Sequence, residues 1–147
     1  MSAYQTVVVG TDGSDSSLRA VERAATIAGA DAKLIVASAY LPHNDDSRAA
    51  DALKEESYKV TGSAPIYEIL HTAKERAHGA GAKNVEERAI VGAPVDALVS
   101  LAEDSNADLL VVGNVGLSTI AGRLLGSVPA NVSRRATIDV LIVHTTS

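Results

Sequence analysis

Ala107-Asp108-Leu109-Leu110-Val111-Val112-Gly113 holds a run of consecutive aliphatic residues ended by a glycine. A run so short and so continuously apolar reads as a β-strand covered on both faces, the situation of a central strand in a parallel sheet. Tyr4 to Gly10 has the same build, with Val7-Val8-Val9 ahead of Gly10. Between such runs the apolar period changes to that of a helix. From Ser14 to Gly29, Leu18, Val21, Ala25 and Ala28 share one helical face, with Ser14 placed to cap the first turn and Gly29 to close the last. Lys33 to Tyr40 reads as the second strand.

Leu41 to Gly62 loses the period and carries Pro42, Asn44, Asp45, Asp46 and Ser47, so a long, partly helical connection is expected there. A second helix follows Ser63, with Pro65 in its first turn, Ile66, Ile69, Leu70, Ala73 and Ala77 on one side, and an end near Gly79 and Gly81. Val85 to Ile90 is a third strand made polar by Glu86, Glu87 and Arg88, as an edge position allows. Pro94 opens a third helix with Val95, Leu98, Val99 and Ala102 inward, Val128 to Ala136 reads as a short fourth, and Asp139 to His144 as a fifth strand. The expected class is α/β: one domain over residues 1–147 on a five-stranded, parallel, doubly wound sheet with helices on both faces. Such sheets bind ligands beyond the C-terminal strand ends, where the strand order reverses, which singles out the loops after Gly10 and Gly113.

With 147 residues, 46% of them hydrophobic, the chain can bury a core of its own. Aromatic residues make up only 3%, with no Phe or Trp, so that core must be aliphatic and base stacking has little to work with. A net charge of −5 without any basic cluster argues against nucleic acid as a partner. The absence of Cys excludes disulfides, thiolate catalysis and Cys-ligated metals. Met1-Ser2-Ala3-Tyr4-Gln5 shows no basic leader and no apolar run approaches the roughly 20 residues of a membrane span, so a soluble cytoplasmic protein without a membrane partner is expected.

After the fourth strand the chain reads Gly113-Asn114-Val115-Gly116, then nine residues, then Gly126-Ser127 and a helix containing Pro129. Glycines let a backbone approach a phosphate, and Ser127 with the free amides from Val128 onward sits at a helix start, where an anion is favoured. Arg123 adds a cation to the loop. Local spacing also admits a plain strand-ending turn at Gly113 and Gly116 with Ser127 as a helix cap. No Lys precedes Ser127 and no G-x-G-x-x-G occurs, so neither a Walker A loop nor a dinucleotide fingerprint is present. Asp12, within Gly10-Thr11-Asp12-Gly13-Ser14, has two readings as well: a carboxylate for ribose, adenine or a magnesium ion, or a good turn residue. His43, His71, His78 and His144 are scattered without an acidic third ligand, Asn44-Asp45-Asp46 lacks the rest of a calcium loop, and Ser14-Asp15-Ser16-Ser17 reads as a helix start rather than a nucleophile.

Gly113, Gly116, Gly126 and Ser127 fit G-x2-G-x9-G-[ST], and in this the sequence resembles the ATP-binding universal stress proteins. The likeness extends through Val9-Gly10-Thr11-Asp12-Gly13-Ser14, Gly92-Ala93-Pro94 and Ala107 to Gly113. The resemblance implies a Rossmann-like sheet of the adenine nucleotide alpha hydrolase type. It also implies that Asp12 meets the nucleoside end, that Ala39 lines the adenine pocket through its backbone, and that Gly113 to Ser127 wraps ribose and phosphates. Ile138-Asp139-Val140, where the family usually has a proline, and Pro129 depart from the pattern without touching those contacts.

The phosphate loop has no general base beside it, since Gly, Asn, Val and Ser offer little acid–base chemistry. The expectation is a non-enzymatic regulatory or stress-response protein that holds ATP, or another adenine nucleotide. A slow ATPase or nucleotidyl or phosphoryl transferase, with Asp12 on a metal, is the enzymatic alternative. A binder of AMP or cAMP is a third, because glycine amides and one Ser cradle a single phosphate as readily as three. The apolar final strand, residues 140–144, invites pairing with another chain, and the resemblance likewise points to a homodimer through it.

Overall fold

The computed structural model describes residues 4–40, 64–113, 132 and 134–144. Within them the chain runs β1 (Thr6–Gly10), α1 (Asp15–Ala28), β2 (Lys33–Tyr40), α2 (Ala64–Gly79), β3 (Asn84–Val91), α3 (Pro94–Asp104), β4 (Leu109–Gly113) and β5 (Asp139–Val143). The strands form one five-stranded sheet in the order β3-β2-β1-β4-β5, and every neighbouring pair is parallel. From β1 the chain steps outward to β2 and β3, then returns past β1 to β4 and β5. Right-handed crossovers therefore place α1 and α2 on one face and α3 on the other.

The side chains divide the same way. Val7 and Val9 join Leu18, Val21, Ala25, Leu70, Ala73 and Ala77 of α1 and α2, whereas Val8, Leu110 and Val112 join Leu98, Val99 and Ala102 of α3 together with Val132. All three valines of β1 and the Leu110-Val111-Val112 run of β4 are 0% exposed, as the unbroken apolar runs require of strands covered on both sides. Each such burial contributes on the order of 1.5–3 kcal/mol. Ala24, Ala25 and Ala28 of α1 are buried in one cluster with Ala73 and Ala77 of α2, so small side chains let the two helices share that face.

β3 is an edge strand, in keeping with its charges, and spans Asn84–Val91 rather than Val85 to Ile90. β1 and β4 begin two residues later than their apolar patterns suggest, because the Asp108 carboxylate accepts the Gln5 and Thr6 amides while the Asp108 amide donates to the Thr6 carbonyl at 2.9 Å. That crossing of bonds occupies the groups a longer ladder would use. β5 is the opposite edge and ends at Val143, so His144 lies beyond it. Val132, Arg134 and Arg135 are helical, and the rest of the expected fourth helix before Val132, like the connection from Leu41 to Gly62, lies outside the described residues.

Candidate functional site

The strand order reverses between β1 and β4, so the crevice expected of this topology opens beyond Gly10 and Gly113. Gly10 pairs with Ala37, and the Thr11 amide still reaches the Ala37 carbonyl at 2.9 Å before the chain turns away. Backbone groups of a strand alternate in direction, and Ala39 is in phase with Ala37. The N–H and C=O of Ala39 thus aim toward the β1 side at a level where β1 has ended, while its other flank pairs with Ile90. A donor and an acceptor offered side by side at a strand end suit the edge of a heterocyclic base.

The loop after β1 is held from below by buried hydroxyls. Ser17 Oγ donates to the Ser14 carbonyl at 3.0 Å, so across the 2.7 Å contact with Thr11 Oγ1 it is Thr11 that donates. Ser17 Oγ also accepts the Asp12 amide at 3.3 Å, and Thr11 Oγ1 accepts the Gly13 amide at 3.0 Å. Both hydroxyl residues are 0% exposed, and every hydrogen on them is used. Asp12 Oδ1 accepts the Ser14 amide at 3.0 Å, an Asx turn, and Ser14 Oγ in turn caps α1 through the Ser17 amide at 3.1 Å. Gly13, between them, has φ +87°, a conformation that side chains rarely adopt. Asp12 therefore shapes the turn through one carboxylate oxygen and remains half-exposed at the crevice.

The structure brings Gly10, Thr11, Asp12, Ala39 and Gly113 to the C-terminal end of the sheet. Thr11 is there through its backbone, its side chain being committed inward. Asn114, Gly116, Arg123, Gly126, Ser127 and Val128 lie outside the described residues. Among the described residues no group of three or more His, Asp or Glu side chains gathers in a way that could hold a metal ion. His71 pairs with Glu75 on the exposed face of α2 and His78 bonds the Ala82 carbonyl, both far in sequence and role from the crevice. Among the described residues, open grooves lie elsewhere, one of about 560 Å³ between α1 and α2 around Glu22 and Arg76 and another of about 350 Å³ beside β3 and α3.

Residues 3–144 match the model of the universal stress protein family. The chain belongs to the universal stress protein family. Universal stress protein Rv1636 of Mycobacterium tuberculosis is 85% identical over 146 residues, covering 99% of this chain and 100% of that protein. A putative universal stress protein of Staphylococcus aureus is 33% identical, over 99% of this chain and 87% of the relative. Among solved structures, a universal stress protein in complex with cAMP is 73% identical, with a TM-score of 0.77 and coverage of 99% of this chain and 100% of the other. The described residues share the fold of this universal stress protein.

Two supporting residues escape a reading of the sequence. Ser17 falls on the buried stripe of α1 with Leu18 and Val21, and a polar residue on an apolar stripe is the signal that a buried bond awaits it. Ile69 of α2 lies against Gly13, a contact between segments so far apart in the chain that no local pattern reports it.

Proposed function

We propose that this chain binds an adenine nucleotide in the crevice between β1 and β4 and acts as a cytoplasmic stress-response regulator rather than as a fast catalyst. The observation that carries this reading is the cAMP held by a universal stress protein 73% identical over 99% of this chain. The residues fit such a guest: Ala39 presents a backbone donor and acceptor for the base, and Asp12 presents a fixed carboxylate for hydroxyls of the sugar. Gly113, Asn114, Gly116, Arg123, Gly126, Ser127 and Val128 supply glycine-freed amides, one hydroxyl and one cation for phosphate. A single phosphate needs no Walker lysine, which favours cAMP or AMP as the first ligand to test; ATP, with Asp12 as the residue that would hold a magnesium ion, is the second reading, supported by the G-x2-G-x9-G-[ST] spacing.

The deciding experiment purifies the chain without added ligand, denatures it and identifies the released nucleotide by mass spectrometry, followed by calorimetric titration of cAMP, AMP, and ATP with and without magnesium. Saturable binding of adenylates that sulfate does not mimic is expected, and Gly116→Val or Gly126→Val abolishes it with the fold intact. Equal affinity for sulfate refutes the reading. Nucleotide turnover stays well below about 1 per second, and a faster rate means an enzyme. The chain works as one domain and pairs through β5, whose outer edge no described strand covers. Sedimentation showing only a 15.1 kDa species at micromolar concentration rules out that dimer.

A further inference from the structure

Gly13 is the pliable link of the Asp12 turn. Its neighbours are fixed by hydrogen bonds: Asp12 through its amide to Ser17 Oγ and its carboxylate to the Ser14 amide, Ser14 through the cap of α1. Gly13 itself is held only at its amide, which Thr11 Oγ1 accepts at 3.0 Å, and at φ +87° it keeps the wider torsional range of a residue without Cβ, through which the Asp12 carboxylate could swing away. A wall limits it. A Cβ placed on Gly13 would lie 2.9 Å from Cγ1, 3.3 Å from Cδ1 and 3.4 Å from Cγ2 of Ile69, so the branched end of that side chain lies against one side of Gly13, whose other side is exposed. Ile69 is only half-buried, whereas Ile66, Leu70, Ala73 and Ala77 of the same helix are buried in the core. Those four hold α2 to the sheet, which leaves Ile69 free of that duty.

We propose that Ile69 is a positioning residue of the nucleotide site: by lying against one side of Gly13 it fixes the Asx turn and with it the direction of the Asp12 carboxylate, although it belongs to α2, far along the chain from the turn. This rests on the proposed adenine-nucleotide reading. Its consequence is that the geometry of the β1 loop depends on where α2 sits. A shift of α2 along the sheet would move the wall and loosen the carboxylate without touching the ligand.

A double-mutant cycle tests it, with cAMP and AMP titrated by calorimetry into the full chain and folding checked by circular dichroism. Ile69→Val keeps Cγ1 and Cγ2 and is expected to bind within about 2-fold of the native chain, while Ile69→Ala weakens binding by roughly 3- to 30-fold. Ile69→Leu, equal in volume but with its branch moved away from Gly13, weakens it too and serves if Ile69→Ala does not fold. In an Asp12→Ala background the same changes have no further effect. Native affinity in both Ile69→Ala and Ile69→Leu overturns the inference, as does an undiminished loss in the Asp12→Ala background, which means that Ile69 acts on the ligand or on overall stability. A native chain that binds no adenylate instead refutes the functional reading itself.

Discussion

Ser17→Ala removes an oxygen that takes part in three bonds beneath the crevice: it accepts the Thr11 hydroxyl at 2.7 Å and the Asp12 amide at 3.3 Å, and donates to the Ser14 carbonyl at 3.0 Å. The Ser14 carbonyl keeps the Leu18 amide at 2.9 Å, so it is not orphaned. Asp12 is half-exposed, and water can reach its amide. The Thr11 hydroxyl is 0% exposed, so its burial without the Ser17 acceptor dominates the cost at about 1–3 kcal/mol. We expect about 2 kcal/mol of destabilisation in chemical denaturation and a fall in Tm of about 4–8 °C for a chain of this size. Thr11→Val alone strands only the Gly13 amide, which lies near the surface, and costs about 1 kcal/mol. The double variant has no lone hydroxyl, so it is less destabilised than the two singles summed, by about 1 kcal/mol. Strict additivity, or a Ser17→Ala loss under about 0.5 kcal/mol, refutes the bond directions assigned to this network.

Leu110→Ala empties a fully buried place at the centre of β4 and is expected to destabilise by about 2–5 kcal/mol, read from the denaturation midpoint. Glu86 is held below its usual pKa first by the hydrogen bond from Lys33 at 2.9 Å and further by Arg88 at 3.1 Å, against the opposing effect of burial. A lowered folded pKa gives stability that is present above about pH 4.5 and lost as pH falls through the folded value. Glu86→Gln should flatten that acid limb by less than about 1 kcal/mol, since the pair is well solvated. Tyr4 is pushed above its ordinary pKa of 10.0, first because its hydroxyl donates to Asp139 at 2.9 Å. That contribution is present below pH 10.0 and lost as pH rises through the raised value, and Asp139→Ala should return the ultraviolet titration of Tyr4 toward the ordinary value.

The sheet was legible because burial on both faces leaves an unmistakable mark. Val7-Val8-Val9 and Leu110-Val111-Val112 had to be central, the charged β3 had to be an edge, and once both hold, right-handed crossovers leave the reversal between β1 and β4. The position of the crevice follows from that topology, so the loops after Gly10 and Gly113 were within reach of the residues alone, whereas Ala39 came only through the family resemblance. Capping was legible for the same local reason: Ser14 and Gly29 bracket α1. What escaped was the support of the site. Thr11 belongs to the loop expected to meet the nucleotide, yet its side chain turns inward to Ser17, a choice made by packing between α1 and the sheet rather than by the loop's own residues. Ile69 read as one more core position in an i, i+3, i+4 stripe, and periodicity cannot tell a side chain that fills the core from a neighbour that walls off a glycine on another segment. Sequence pattern records which face of an element is covered and not what covers it, and the contacts made by Ser17 and Ile69 are of the second kind.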